Sequence, residues 1–327
     1  MTEYKNYIYQ SVLAPYIQGL ISEKRSHGFI YNIQAYQLKR FDDYWCRQGY
    51  TETCISAEML HEWLCCLPGE GKSSHSGRIT AVKSLTIYMN TLGIRCYVPL
   101  LCIGKDHPIV HILNKKEIQE LFFVIDSYMP ASRNPADFRM ANEYPLIFRL
   151  YYCCGMRNQE VCTLETSDVD LEAGLLTVRN GKNHKDRLIY LPEDLRQLSK
   201  KYFDYLKRAL GYTPFWFFPG RCPSKHVDKT QIDKKFRIFW NQTDSSKYCD
   251  KNPTPHCLRH TFVVDRINQW ILEDTDIHVM MMYLSKYLGH KDPDGSFYYY
   301  HLVADAFQII HQKDTMAEKV IPEVRRR

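Results

Sequence analysis

Helical periodicity runs through the first hundred residues of this chain and then stops abruptly. Apolar residues recur at helical spacing from Tyr4 to Lys24 (Ile8, Val12, Ile17, Leu20, Ile21), which predicts one helix. Asn32 to Arg47 predicts a second, closed by Gly49. Ser56 reads as the N-cap of a third, and Ser73 to Leu92 forms a fourth that Gly93 ends. The stretch CYVPLLCIGKDHPIVHIL, Cys96 to Leu113, carries two prolines and a glycine and has no period. Proline cannot donate to a helix ladder, so this segment reads as an inter-domain linker. A chain of 327 residues also exceeds what one ordinary core serves. The reading is therefore residues 1–100 as a small helical bundle, 101–113 as linker and 114–327 as a second domain.

The second domain reads as mixed. Asn114 and Glu117 form a capping-box pattern at the start of a helix. Phe138 to Cys154 is apolar and helical. Leu175–Val178 and Arg187–Leu191 are β-rich and flank Asn180-Gly181, a hairpin signal. Helices follow from Pro192 to about Leu210, Asp228 to Asn241 and His256 to Leu272, with Phe215–Pro219 as a buried strand or turn. The fold class expected is mainly α with a small β-hairpin.

Hydrophobic residues make up 45% and charged residues 24%, the balance of a folded chain rather than a disordered one. No apolar run approaches the roughly 18 residues that span a bilayer. The start, MTEYKNYIYQ, lacks the order of a secretion signal, so a cytoplasmic location and no membrane partner are expected. Twelve cysteines fall without zinc spacing or a C-x-x-C pair, and adjacent pairs such as Cys153-Cys154 sit in apolar runs, so free thiols and no metal site are expected. The net charge of +6 leans mildly toward a polyanionic partner. Gly69-Glu-Gly-Lys-Ser-Ser resembles the end of a phosphate loop, but the required first glycine falls on Cys66 and the context is helix to helix, so no nucleotide site is expected.

Four places in the second domain hold residues that are costly to bury and useful on a phosphate. Arg157 follows a buried helix end and precedes Glu160, with which it pairs at i,i+3 or else forks onto phosphate oxygens. The hairpin tip concentrates Arg179, Lys182, Lys185 and Arg187. His256 and Arg259 share a face in the first turn of a helix, where amides and dipole favour an anion. Gly289-His290 precedes Tyr298-Tyr299-Tyr300.

The order of these blocks, CGMRNQEVCTLETSDVDLEAG, NGKNHKDRLIYLP, HCLRHTFV and LGHKDPDGSFYYYH, resembles the tyrosine recombinases, the phage integrase family, over roughly residues 112–303. The resemblance implies a two-domain C-shaped clamp: a helical core-binding domain at residues 1–100 and an α+β catalytic domain. It implies cutting and rejoining of double-stranded DNA through a 3′-phosphotyrosine, with no ATP, metal or other cofactor. By the same resemblance the catalytic set is Arg157, Lys182, His256, Arg259, His290 and Tyr299, with Glu160 in support. Two arginines suit the non-bridging oxygens, His256 acts as acid/base partner and a hairpin lysine protonates the leaving oxygen. Lys182 matches the family's G-K turn better than Lys185. The family spacing of nine from His290, and its tyrosine-x-histidine continuation, select Tyr299 over its neighbours.

Lys24, Arg25, Lys39, Arg40, Arg78, Lys83 and Lys185 are expected phosphate contacts; each is otherwise a solvated charge. The resemblance further implies a homotetramer on paired DNA sites, a monomer or weak oligomer when free, and accessory recombination factors. The tail 304–327 either exchanges between subunits or packs on its own domain. Integration, excision or transposition of a bacterial or phage mobile element, with nucleoid association, is the expected role. A type IB topoisomerase and a catalytically silent DNA-binding protein are the alternatives.

Overall fold

The computed structural model describes residues 4–100, 103–104, 110–179, 186–289 and 299. The chain divides into two compact units, Met1–Ile109 and Val110–Arg327, a boundary inside the stretch read as linker. Lys182, Lys185, His290 and the tail 304–327 lie outside the described residues.

The first unit contains α1 (Ala14–Ser26), α2 (Asn32–Arg47), α3 (Ala57–Leu64) and α4 (Lys72–Thr91). Its core joins Leu13, Ile17 and Leu20 to Leu38, Phe41 and Trp45, and these to Trp63, Val82 and Leu85. Ser56 caps α3 by accepting from the Met59 amide at 3.3 Å. The first helix is shorter than its periodicity suggests. Pro15 stands in its first turn, where a missing N–H costs nothing. The residues before it are claimed by another partner: the Asp42 carboxylate, fully buried, accepts from the amides of Gln10 (2.8 Å) and Ser11 (3.0 Å) and from the Ser11 hydroxyl (2.5 Å). Buried carboxylate oxygens need such donors, and the segment stays outside the helix while it supplies them.

The second unit is built on α6 (Pro135–Cys154), which follows α5 (Lys115–Asp126) and packs against it. The capping box of α5 is present: Asn114 accepts from the Glu117 amide at 3.0 Å, and Glu117 accepts from the Asn114 amide at 2.7 Å. A short α7 (Asn158–Cys162) leads through a 3-10 turn to an antiparallel sheet, β1 (Val169–Asp170), β2 (Leu175–Val178) and β3 (Arg187–Tyr190), in the order β1-β2-β3. The register pairs Val178 with Arg187, so eight residues separate the paired strands, more than a two-residue Asn-Gly turn spans, and Asn180-Gly181 themselves lie outside the described residues. Then come α8 (Glu193–Leu210), α9 (Lys229–Trp240), α10 (Pro255–Leu272) and α11 (Ile277–Leu288).

Both α8 and α10 lie against α6, around Phe148, Tyr151, Phe217, Phe218, Phe236 and Trp240. Within α6, Arg139 and Glu143 form a buried ion pair at 2.7 Å, and Arg139 also donates to the carbonyls of Pro219 and Gly220. Among the described residues no helix is long and apolar enough to cross a membrane, and no cysteine is in a disulfide.

Candidate active site

Three helix ends meet in the second unit: the C-terminus of α6, the N-terminus of α10 and the C-terminus of α11. Gly155 closes α6 in the left-handed conformation, φ +59°. A side chain there would also collide, because a Cβ would lie 2.5 Å from the Phe262 ring. The Gly155 carbonyl accepts from Nη1 of Arg259, and the Leu288 carbonyl accepts from its Nη2 at 3.0 Å. Arg259 is 1% exposed. Burial, and then the charge of Arg157, pull its pKa down to about 10, against the opposing pull of Glu160 and Tyr299.

Arg157 sits at the N-cap of α7. Its Nη2 donates to the Gly289 carbonyl at 3.0 Å, the residue after the one that holds Arg259. The two guanidinium groups are thus carried on consecutive carbonyls at the end of α11. The Arg157 backbone amide donates to Glu160 at 2.8 Å and its Nη1 at 2.9 Å. The i,i+3 pair weighed from sequence is therefore formed, and it coexists with the approach to Arg259.

Glu160 has a second partner that sequence reasoning did not nominate. Arg187, at the start of β3, forks onto both its oxygens at 2.9 and 2.6 Å. Burial alone would raise the Glu160 carboxyl; the Arg187 fork and then Arg157 reverse that and hold it below the usual range. A signal for Arg187 was available. Strand alternation puts it on the same face as buried Ile189. An arginine on the inward face of a strand needs an anion.

His256 lies in the first turn of α10 and remains open to solvent as a whole. Its imidazole is nonetheless pushed down to about 4, first by loss of water around the ring and then by Arg259, Arg157 and Lys229. One turn on, His260 packs edge-on against it, ring centroids 4.5 Å apart.

Tyr299 is 4% exposed, and its ring lies in a small apolar cluster with Phe262, Val263, Met281, Leu284 and Leu288. Its hydroxyl is 2.7 Å from Nδ1 of His260. His260 lies in the motif HCLRH outside the residues expected to act, and its i,i+4 relation to His256 on one helix face is the available clue. The structure brings together Arg157, Glu160, His256, Arg259 and Tyr299, with Arg187 and His260 added.

In the first unit, Arg78 corrects an expectation. It is fully buried, bonded to both oxygens of Glu70 at 2.9 and 2.7 Å and to the carbonyls of Trp63 and Cys65. A guanidinium so engaged has no face left for a phosphate. Lys24, Arg25, Lys39, Arg40 and Lys83 are half-buried. Arg25 donates to Asn6 and Lys5, and Lys39 pairs with Asp43 at 2.8 Å. Cys66, Glu70 and His75 lie close enough to hold a metal ion. Arg78 already occupies Glu70, and His75 bonds the Leu64 carbonyl at 2.8 Å, so these residues do not suit one.

Residues 112–305, more than half of the chain, match the phage integrase family, and the chain belongs to that family of tyrosine recombinases. It is therefore an enzyme of the class that cuts DNA and exchanges strands. It is 25% identical to the tyrosine recombinase XerA of Saccharolobus solfataricus over 256 residues, 77% of this chain and 76% of that one. For two further curated relatives, the tyrosine recombinases XerA of Pyrococcus furiosus and XerD of Proteus mirabilis, the shared stretch spans 56% and 50% of their length. The XerH recombinase bound to its difH substrate has the same fold, with a TM-score of 0.63 at 18% identity over 87% of this chain and 79% of that one. So does a lambda integrase tetramer bound to a Holliday junction, with a TM-score of 0.58 at 16% identity over 86% and 78% of the two chains.

Proposed function

We propose that this protein is a site-specific recombinase that cuts and rejoins double-stranded DNA through a covalent 3′-phosphotyrosine at Tyr299. The observation that carries this reading is the meeting of two guanidinium groups, held on adjacent carbonyls, with a tyrosine hydroxyl in the same cluster of helix ends. The transition state of phosphoryl transfer spreads negative charge over non-bridging oxygens, and fixed cations in a water-poor site stabilise it. Arg157 and Arg259 supply that charge, and Glu160 with Arg187 fixes the plane of the first. Attack by Tyr299 on phosphorus releases a 5′-hydroxyl. Attack by a 5′-hydroxyl of another strand reverses the step, so the phosphodiester energy is kept and neither nucleotide nor metal enters the reading.

Lys182 on the hairpin protonates the leaving oxygen and His290 adds a hydrogen bond at the phosphate. His256, held neutral at pH 7, serves as an acid/base group on the arginine side of the site. The helical first unit grips the duplex through phosphate contacts from Lys24, Arg25, Lys39, Arg40 and Lys83, so binding weakens with salt. Strand exchange between two sites calls for four protomers, in keeping with the tetrameric lambda integrase complex. The biological setting proposed is integration or excision of a mobile element.

The test is a duplex selected by the protein from a random pool, nicked at successive positions so that cleavage frees a short fragment. Wild type is expected to leave a covalent protein–DNA adduct on a denaturing gel. Tyr298→Phe and Tyr300→Phe retain it and Tyr299→Phe abolishes it. No adduct from wild type would leave a DNA-binding protein without catalysis.

A further inference from the structure

We propose that His260 is the general base that takes the proton of Tyr299 during cleavage and returns it during rejoining, an inference that rests on the reading above. The phenolic hydroxyl and Nδ1 of His260 are 2.7 Å apart, within range for direct proton transfer. With the ring proton on Nε2, the phenol donates to Nδ1 and points its proton at the atom that must receive it.

Both partners are fixed by packing. The Tyr299 ring is seated among Phe262, Val263 and Leu288, and His260 is carried on the same helix, α10, that supplies Phe262 and Val263. The ring of His256 braces that of His260 from the side.

His256 is less suited to this task. Loss of water around its imidazole, and then the charges of Arg259 and Arg157, oppose the uptake of a proton there. The charge of Arg259 acts oppositely on the nucleophile. Tyr299 lies close enough to Arg259 for a phenolate to be felt there, so a developing anion on the tyrosine is stabilised.

The step balances as follows. The bond from Tyr299 Oη to phosphorus forms as the bond from phosphorus to O5′ breaks. The phenolic proton passes to Nδ1 of His260, giving an imidazolium, and O5′ takes a proton from Lys182. Rejoining runs both transfers backwards, with His260 as the acid that reprotonates the tyrosine.

The test measures single-turnover adduct formation by the full chain on the selected nicked duplex, and on the same duplex with sulfur replacing the bridging 5′-oxygen. Sulfur leaves readily without a proton, so a lost acid is rescued and a lost base is not. His260→Ala removes the contact. His260→Asn keeps a polar atom near the Nδ1 position but cannot take the proton. Thermal midpoint and DNA affinity confirm that each variant folds and binds.

Both variants are expected to form adduct about 10²-fold more slowly or worse on both duplexes, the size of a lost general base. Lys182→Ala is expected to recover on the sulfur duplex alone. His260→Asn reacting within about a factor of ten of wild type would reduce His260 to a positioning group and overturn the proposal. Sulfur restoring the His260 variants would move His260 to the leaving-group side and overturn it equally. Wild type giving no adduct would sink the recombinase reading itself, whereas an adduct that His260→Asn forms at full speed sinks only this inference.

Discussion

Replacing Gly155 with alanine perturbs backbone and packing together, and a second glycine in the same unit separates the two effects. Gly155 ends α6 at φ +59° and Gly211 ends α8 at φ +77°, so alanine is strained at both. An L-residue in the left-handed region costs about 1–2 kcal/mol. At Gly211 nothing lies within 4 Å of the added Cβ, so strain is the whole cost. At Gly155 the Cβ would meet Phe262 at 2.5 and 2.8 Å and Leu288 at 3.2 Å. Phe262 is buried and cannot swing away, so overpacking adds about 1–3 kcal/mol. The totals are about 2–5 kcal/mol for Gly155→Ala and about 1–2 kcal/mol for Gly211→Ala.

Urea denaturation of each variant beside wild type measures the gap. The Gly155 carbonyl also carries Arg259, so the folded Gly155→Ala protein should lose adduct formation while Gly211→Ala keeps it. Equal urea midpoints for the two variants would refute the crowding at Phe262. Equal adduct yields would refute the link from that helix end to the arginine.

Three further outcomes follow from the charges. Glu160→Gln leaves buried donors of Arg157 and Arg187 without an anion and should cost about 3 kcal/mol by chemical denaturation. The Glu160 carboxyl is depressed in the folded state, so its stabilisation is present above the unfolded carboxylate value of about 4.3 and is lost as pH falls through the folded value; the glutamine variant should lack that acid loss. His256, lowered to about 4, resists protonation in the folded state, so stability should decline as pH falls from about 6.5 toward 4, and His256→Asn should flatten that part of a pH–stability profile. Arg78→Ala strips a buried partner from Glu70 and should lower the stability of the first unit by about 3–5 kcal/mol, while leaving the salt dependence of DNA binding unchanged.

The helices of both units were legible because period and punctuation agreed: Asn114 with Glu117, Ser56 before α3, Gly93 after α4. The start of α1 was not. Its apolar residues keep helical spacing back to Ile8, but the decision lies with Asp42, a residue some thirty positions away that binds the Gln10 and Ser11 amides. The core of the candidate site was legible for a different reason. Arg157, His256, Arg259 and Tyr299 keep a fixed order and spacing that the family resemblance makes readable. Arg78 misled because charge alone says nothing about side-chain direction; a loop glutamate, Glu70, draws it inward. Arg187 and His260 escaped notice because their roles depend on which partner stands opposite, and that partner comes from a distant part of the chain in each case.

The carbonyls of Leu288 and Gly289 hold Arg259 and Arg157, and the chain leaves α11 at these same residues, ten positions ahead of Tyr299. The mountings of both guanidinium groups, and the Leu288 side chain that shares a cluster with the Tyr299 ring, thus belong to one piece of backbone. Under the proposed function, a shift in the last turn of α11 would move both cations and the seat of the tyrosine ring in a single stroke.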